Sequence, residues 1–491
     1  MQNNLRQTGG DSYSMATYDE PAVAGAATYT LNKDRARQYW AEVNWDFGPA
    51  TLTYVPAYRY NDYDPIESYV GPAGMAVGYN PSLTPSDTFL THEVRLASNA
   101  DSGFKWIVGS FYYKSHWENN AYLRWIASGA LAFSNDQRRV RSDYGVFGET
   151  TFDLSDTWRL TTGLRYDYNS SEHTEVSASN LTTGAGPTDP NFGLPQNLLV
   201  YTLGADAGTR THRNLTYKLR IEKDISDVNM LYATLSSGFL PGDVQVGTDA
   251  NRNPIAKPYD QETLNGLEVG SKNRFFDETL QLNAAAYYYD YTGYQVDVQP
   301  TPWVPGAEHL TVTSAARMYG LDLDATYLLT KNDQLSATVG LIDAKFKDSS
   351  AEFKSYVAQE KITGIAPVTL TAAYEHTFPF ANGSAIKARV DGRYNSAYDL
   401  IVANPAFESA ANPSGAFLVS EQLRYSHLDA QVTGNASVNW SSPNNKYSVG
   451  GYVRNFTDNV YKTGLAFQYN KSVDGSPSVG RTVGVTVRAS F

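Results

Sequence analysis

The feature that most constrains this chain is a two-residue alternation of apolar and polar side chains, sustained over unusually long runs. In the last segment Val479, Arg481, Val483, Val485, Val487, Ala489 and Phe491 share one face. Gly480, Thr482, Gly484, Thr486, Arg488 and Ser490 share the other. Successive side chains of a strand point to opposite sides, so the pattern describes a strand between an apolar and a polar medium. Runs from Leu428 to Trp440, Ile386 to Tyr394, Leu160 to Tyr168, Leu215 to Ile221 and Leu321 to Tyr327 repeat it. Strands in soluble sheets average about 5–6 residues. The clearer runs here approach the ~9–11 residues that a tilted strand needs to cross a bilayer. Their apolar faces often end in Tyr or Trp, residues that belong at a membrane interface.

Composition narrows the reading. No stretch approaches the ~18 consecutive apolar residues of a membrane helix. The 491 residues include no cysteine, which excludes disulfides, thiolate metal sites and cysteine nucleophiles. Acids outnumber bases 51 to 39, which argues against a nucleic-acid partner. Mean hydropathy is only −0.41, yet there are 36 Tyr, 20 Phe and 8 Trp. Low hydropathy with many aromatics fits a barrel whose strands face lipid on one side and a polar lumen on the other.

The connections alternate in length. Short turns fall near residues 48–50, 99–103, 154–157, 225–228, 276–278, 330–333, 379–383 and 441–446. Most carry Gly, Asp, Asn or Pro, which tolerate tight turns. Long loops lie between them, at 62–88, 117–137, 171–211, 239–261 and 396–423. Short turns on one side and long loops on the other are the pattern of an outer-membrane barrel. The count is eight hairpins and one final strand, seventeen in all. Starts are expected near Arg35, Ala50, Phe89, Gly103, Arg138, Trp158, His212, Val228, Thr263, Thr279, Ala315, Gln334, Pro367, Gly383, Arg424, Lys446 and Ser478. With an odd number the first and last strands run parallel, whereas bacterial single-chain barrels have even counts. The sequence therefore predicts an open or strained seam between them.

Local phrases, in order along the chain, resemble the TonB-dependent outer-membrane receptor family. They are His92-Glu93-Val94-Arg95-Leu96-Ala97-Ser98 followed by Trp106-Ile107-Val108-Gly109, and Leu231-Tyr232-Ala233-Thr234 leading to Gly238-Phe239. Glu268-Val269-Gly270-Ser271-Lys272, Gly320-Leu321-Asp322-Leu323-Asp324-Ala325 and Tyr452-Val453-Arg454-Asn455-Phe456-Thr457-Asp458 with Tyr461 follow, and Phe491 ends the chain. The resemblance implies a barrel of about 22 strands with a plug inside it. Counted back from the end, the expected strands are the last seventeen of that barrel. On this reading residues 1–34 are the remnant of an extracellular loop and residues 35–491 the barrel. The first strands, the plug, the TonB box and the signal peptide are then expected to be absent. The start agrees: Met1 to Arg6 is followed by Gln, Thr, Gly, Gly, Asp and Ser, not by an apolar signal core.

No enzyme chemistry is legible. His92, His116, His173, His212, His309, His376 and His427 show neither His-x-His nor His-Glu-x-x-His spacing. No metal site or cofactor is expected. Asp249, Asn251, Asn253 and Asp260 touch a calcium-loop template, but Pro254 stands where glycine is needed, and a polar loop explains them better. Three groups are candidates for function. The loop aromatics Trp117, Tyr122, Trp125 and Trp303 either stack on a hydrophobic solute or belt an extended strand end. Lys387, Arg389, Asp391, Arg393, Glu268 and Lys272 fall on the polar face. They line a conduit, or else simply solvate the lumen and pair across strands at ~0.2–1 kcal/mol per pair. Val483, Val485, Val487, Ala489 and Phe491 form the closing strand and an expected signal for the barrel assembly machinery.

The resemblance implies uptake of a scarce solute, such as a ferric siderophore, across a Gram-negative outer membrane. Its implied partners are the TonB complex in the intact protein, outer-membrane lipid, lipopolysaccharide and a small nutrient ligand. The alternative is a passive porin-like channel. An outer-membrane enzyme and a soluble β protein are the remaining rivals.

Overall fold

The computed structural model describes residues 34–63, 67–70, 75–79, 86–99, 104–125, 131–179, 199–203, 208–248, 254–299, 310–347, 349–408, 417–467 and 473–490. Seventeen of its strands follow one another in a single antiparallel sheet. β1 is Asp34–Trp40, resumed at Val43–Asp46. β2 is Ala50–Tyr63, β3 Ser86–Ser98, β4 Phe104–Trp125, β5 Leu131–Ser155 and β6 Trp158–Ser179. β7 is Thr209–Ser226, β8 Asn229–Leu240, β9 Glu262–Phe275, β10 Leu280–Val298 and β11 Leu310–Thr330. β12 is Asp333–Lys347, β13 Val368–Pro379, β14 Ala385–Asn395, β15 Gln431–Ser441, β16 Tyr447–Arg454 and β17 Thr482–Ala489. Each pairs with its sequence neighbours, which is the up-and-down order that eight hairpins and a last strand require.

Register explains the alternation. On β7 Leu215, Tyr217, Leu219 and Ile221 are exposed on the outer face. Lys218, Arg220 and Glu222 point the other way and find charged or aromatic partners. On β9 Leu267 and Val269 are exposed outward, while Glu268 meets the Tyr232 hydroxyl on the lumenal side. Thr pairs and aromatic pairs tie neighbouring strands together. Thr150 and Thr162 lie 3.0 Å apart, and the Tyr112 and Tyr144 rings 4.8 Å apart.

The short turns are tight. Gly48 and Gly383 take φ of 93° and 85°, where a side chain is costly. Phe276, Asp277 and Glu278 adopt left-handed φ of 53°, 51° and 63° without glycine. That conformation costs roughly 1–2 kcal/mol per residue. The Thr279 amide and hydroxyl both donate to the Phe276 carbonyl and help hold the turn.

Among the described residues no ladder joins β17 to β1. β17 pairs only with β16, and both halves of β1 pair only with β2. The expected seam is therefore open. Val483, Val485 and Val487 on the uncovered strand are 74%, 74% and 73% exposed, whereas Val269 and Val390 on covered strands are 52% and 44% exposed.

Several sequence expectations need correction, among them the loop 171–211, since β6 runs to Ser179 and pairs there with the short strand Leu199–Leu203. Residues 117–137 are not a long loop, because β4 runs to Trp125, β5 begins at Leu131, and the two stay paired between. The short strand Met75–Tyr79 adds to the upper end of β4 and extends the sheet further. β15 begins at Gln431, not near Arg424. Residues Val419–Ser426 are helical, and His427–Leu428 pairs with Tyr398–Asp399 instead. β17 begins at Thr482, not Ser478. The Arg481 amide is taken by the Asp458 carboxylate and Tyr461 accepts the Ser478 amide, which pulls the preceding residues off the sheet.

Candidate functional site

The lumenal face is built by every second residue of consecutive strands, so polar side chains on neighbouring strands meet in rows. Arg159 on β6 binds Glu222 through Nε at 3.0 Å and Asp224 through both terminal nitrogens at 2.5 and 2.8 Å. Arg220 reaches Glu222 at 2.8 Å, and its guanidinium sits 4.4 Å from the Tyr232 ring centroid. The Tyr232 hydroxyl donates to Glu268 at 2.7 Å. Lys218 passes over Gly163 to Glu149 at 3.0 Å. Charged, hydrogen-bonded pairs of this kind are stronger than neutral ones, although the lumen's exposure lowers each contribution.

A second ladder lies on β13–β15. Lys387 binds Glu375 at 2.8 Å, and Arg389 binds Asp391 at 3.3 Å. Asn435 Nδ2 donates to the second Asp391 oxygen at 2.7 Å, and Arg393 Nε donates to Asn395 at 3.1 Å. Of the polar-face residues singled out in the sequence, Lys387, Arg389, Asp391 and Arg393 stand on one strand, β14. Glu268 and Lys272 stand on β9, where Lys272 lies in register between Met230 and Asn283.

The long-loop end of the lumen is covered by elements the sequence reading missed. The hairpin Asp243–Thr248 with Pro254–Tyr259 folds over the inner ends of β6 and β7. Beneath it Asn169, His173, Glu175 and Asn214 are buried. His173 Nδ1 donates to the Val244 carbonyl and His212 Nε2 to the Gly242 carbonyl, each at 3.1 Å. Ser171 donates to Asp243 at 2.8 Å. Gln245 reaches Thr311 on β11 with both ends of its amide, at 3.1 and 2.7 Å. Burial pushes the Tyr259 phenol above its ordinary value, and the Asp243 charge adds to the shift.

Next to the hairpin, helix α1 (Ala351–Tyr356) is capped by Ser350, whose side chain accepts from the Phe353 amide. Phe353 is buried against Phe346, Val312, Leu310 and Val298. Lys257 of the hairpin binds Glu352 of α1 at 3.1 Å. Helix α2 (Val419–Ser426) supplies Gln422, fully buried, whose amide bonds the Asn404 backbone at 2.7 and 2.9 Å. No local sequence signal marks these contacts, because each joins residues far apart in the chain.

The aromatic candidates divide. Trp117 lies on β4, not in a loop, with the Arg139 guanidinium 5.7 Å from its ring centroid. Tyr122 and Trp125 are on the upper part of the same strand. The structure therefore puts three of the four on an extended hairpin. Trp303, His309, Phe491 and the template positions Asp249, Asn251 and Asn253 lie outside the described residues.

Solved structures share this fold. The crystal structure of the ferric yersiniabactin uptake receptor FyuA from Yersinia pestis superposes with a TM-score of 0.73 at 14% identity, over 94% of this chain and 62% of that one. The copper transporter OprC superposes at 0.67 with 16% identity, over 94% and 65%. A curated relative from Acinetobacter baumannii, "Probable TonB-dependent siderophore receptor PiuA", is 21% identical over 349 residues. That match covers 62% of this chain and 43% of PiuA, so the chain spans less than two thirds of each of these relatives. The family model for the TonB-dependent receptor-like β-barrel matches residues 2–456. With the strand order, the two-faced wall and this match in agreement, the chain belongs to the TonB-dependent receptor family, in its β-barrel part.

Proposed function

We propose that this chain is the barrel segment of an outer-membrane receptor that takes up a ferric siderophore or a similar scarce nutrient. The observation that carries the reading is a lumen walled by ion-paired ladders and capped by folded loops, on a barrel shared with siderophore receptors. Residues 35–491 would be the barrel and residues 1–34 part of an extracellular loop. Lys387, Arg389, Asp391, Arg393, Glu268 and Lys272 would face the solute path and whatever fills the lumen. Trp117, Tyr122, Trp125 and Trp303 would contact ligand at the outer rim. Val483, Val485, Val487, Ala489 and Phe491 would serve the barrel assembly machinery as the closing strand. Partners on this reading are the TonB complex, outer-membrane lipid and lipopolysaccharide.

The test is deletion of the encoding gene in its own host, followed by uptake of a panel of ⁵⁵Fe-loaded siderophores under iron limitation. The reading expects loss of uptake of at least one siderophore, in a manner that also needs an energised TonB system. Unchanged uptake across the panel, or uptake that persists without TonB as through a passive channel, would overturn it.

A further inference from the structure

Among the described residues several lumenal charges are neutralised by a neighbour, as in Lys387–Glu375, Arg389–Asp391, Lys218–Glu149 and Arg220–Glu222. Asp322 and Arg393 are different. Both face one cavity of about 310 Å³ on the inner wall of β10–β14. Among the described residues neither has an ion-pair partner. Arg393 spends only its Nε, on Asn395, which leaves its terminal nitrogens available.

The cavity is made by register. Asp322, Gly340, Thr369 and Asn395 form one row across β11, β12, β13 and β14. Glycine in that row clears the floor. A Cβ at Gly340 would lie 2.7 Å from the Thr369 hydroxyl and 3.4 Å from Asp322 Oδ1. Interior strand glycines mark places where another group approaches closely. The Tyr287 ring lies across Gly320 and forms one wall. The roof is the segment around Ile365, held by the Gly364 amide on the Asp399 carbonyl at 2.7 Å and the Ile342 amide on the Pro367 carbonyl at 3.0 Å.

We propose that this cavity binds a zwitterionic group, with its ammonium on Asp322 and its carboxylate on Arg393. Two opposite charges held apart in one cavity match a ligand that carries both. The row spans three strand spacings of about 4.8 Å, which puts the Cα atoms of Asp322 and Asn395 about 14 Å apart, and Arg393, two residues along β14 from Asn395, is about 16 Å from Asp322. Even with both side chains leaning inward, a gap of several ångströms remains between the charged heads. The fitting ligand therefore carries its charges at opposite ends of a short chain, as an ω-amino acid or the equivalent part of a larger solute does. The inference deepens the uptake reading, since it assigns a ligand chemistry to the lumen wall.

The experiment is calorimetric titration of the purified, detergent-solubilised 491-residue chain with glycine, 4-aminobutanoate, 6-aminohexanoate and 8-aminooctanoate. Hexylamine and hexanoate are the one-charge controls. The zwitterions of intermediate length should bind at least tenfold tighter than glycine or either control. Asp322→Asn should weaken them at least tenfold and abolish any preference for hexylamine, while sparing hexanoate. Arg393→Gln should do the reverse. Gly340→Ala, which fills the floor beside Asp322 without removing either charge, should weaken the zwitterions most. Lys331→Gln, in the short turn between β11 and β12 and outside the cavity, should change nothing. Retained heat-modifiable mobility certifies each variant as folded. Equal affinity for zwitterions and controls, or equal losses in Lys331→Gln and Arg393→Gln, would overturn the proposal. Because binding is read on purified protein, its failure leaves the uptake reading standing, and a failed uptake experiment leaves this one standing.

Discussion

The two faces of β9 offer a sharp test within a single peptide bond. Val269 points outward and is 52% exposed. Glu268, its neighbour, points into the lumen and accepts from Tyr232. Val269 is the eighth of fourteen residues in β9. At about 3.4 Å per residue and a tilt near 40°, it stands roughly 17 Å from the short turn along the membrane normal. That is inside the apolar band, which is about 25 Å tall. Its cross-strand neighbours on the same face are Ala233 and Ala286, which offer an introduced guanidinium no side-chain acceptor. Val269→Arg should therefore cost about 2–4 kcal/mol, the range for a cation at depth on the lipid face of a barrel. Glu268→Gln keeps an acceptor oxygen for Tyr232 in a wet lumen and should cost under about 1 kcal/mol. Reversible urea unfolding of the full chain in lipid vesicles, followed by tryptophan fluorescence, reads both. A Val269→Arg loss no larger than that of Glu268→Gln would refute the assignment of faces.

Other expectations follow from the cap and the closing strand. Phe353→Ala empties a buried site against Phe346 and should cost about 3–5 kcal/mol, felt locally by residues 349–367. Protease should then cut that segment while heat-modifiable barrel mobility persists, and an uncut segment would count against the packing. Tyr259 has a raised folded value, so its neutral phenol stabilises the docked hairpin fully below pH 10. That stabilisation is lost as pH rises through the raised value. A nitroxide on Val246→Cys should become mobile in that alkaline window, and Tyr259→Phe should remove the transition. A pH-independent spectrum in the Tyr259 protein would contradict this. Deleting Phe491 should lower the fraction of chain assembled into membranes without altering ligand affinity, and unchanged heat-modifiable mobility would speak against it.

The barrel wall was legible because its cause is local. Alternation in segments such as Leu215–Ile221 follows from the pleat and two media, and the strand count of seventeen agrees with the sheet. The boundaries toward the long loops were less legible. Residues 117–137 are polar and aromatic like a loop, yet Asn119 to Leu123 stay paired with Phe133 to Gln137, because a barrel hairpin can extend beyond the membrane where side-chain polarity no longer matters. Leu428 and Ala430 continue the alternation of β15 by sequence. The Leu400 amide nevertheless takes the Ser426 carbonyl and ends the regular ladder below them. The cap was not legible at all. His173 reads as one more polar residue on a polar face, and only the hairpin from 71 residues further along makes it a buried donor. The same holds for Asp322 and Arg393, whose common cavity depends on register across four strands.

The central claim is that each strand divides lipid from a polar lumen at every second residue. The absence of native cysteine makes a single-cysteine scan of β7 the most direct measurement. Cysteines placed one at a time from Leu215 to Glu222 would be treated, in intact vesicles, with a membrane-impermeant maleimide. The account predicts labelling at 216, 218, 220 and 222, reached through the lumen, and protection at 215, 217, 219 and 221. Uniform labelling, uniform protection, or a period other than two would contradict it.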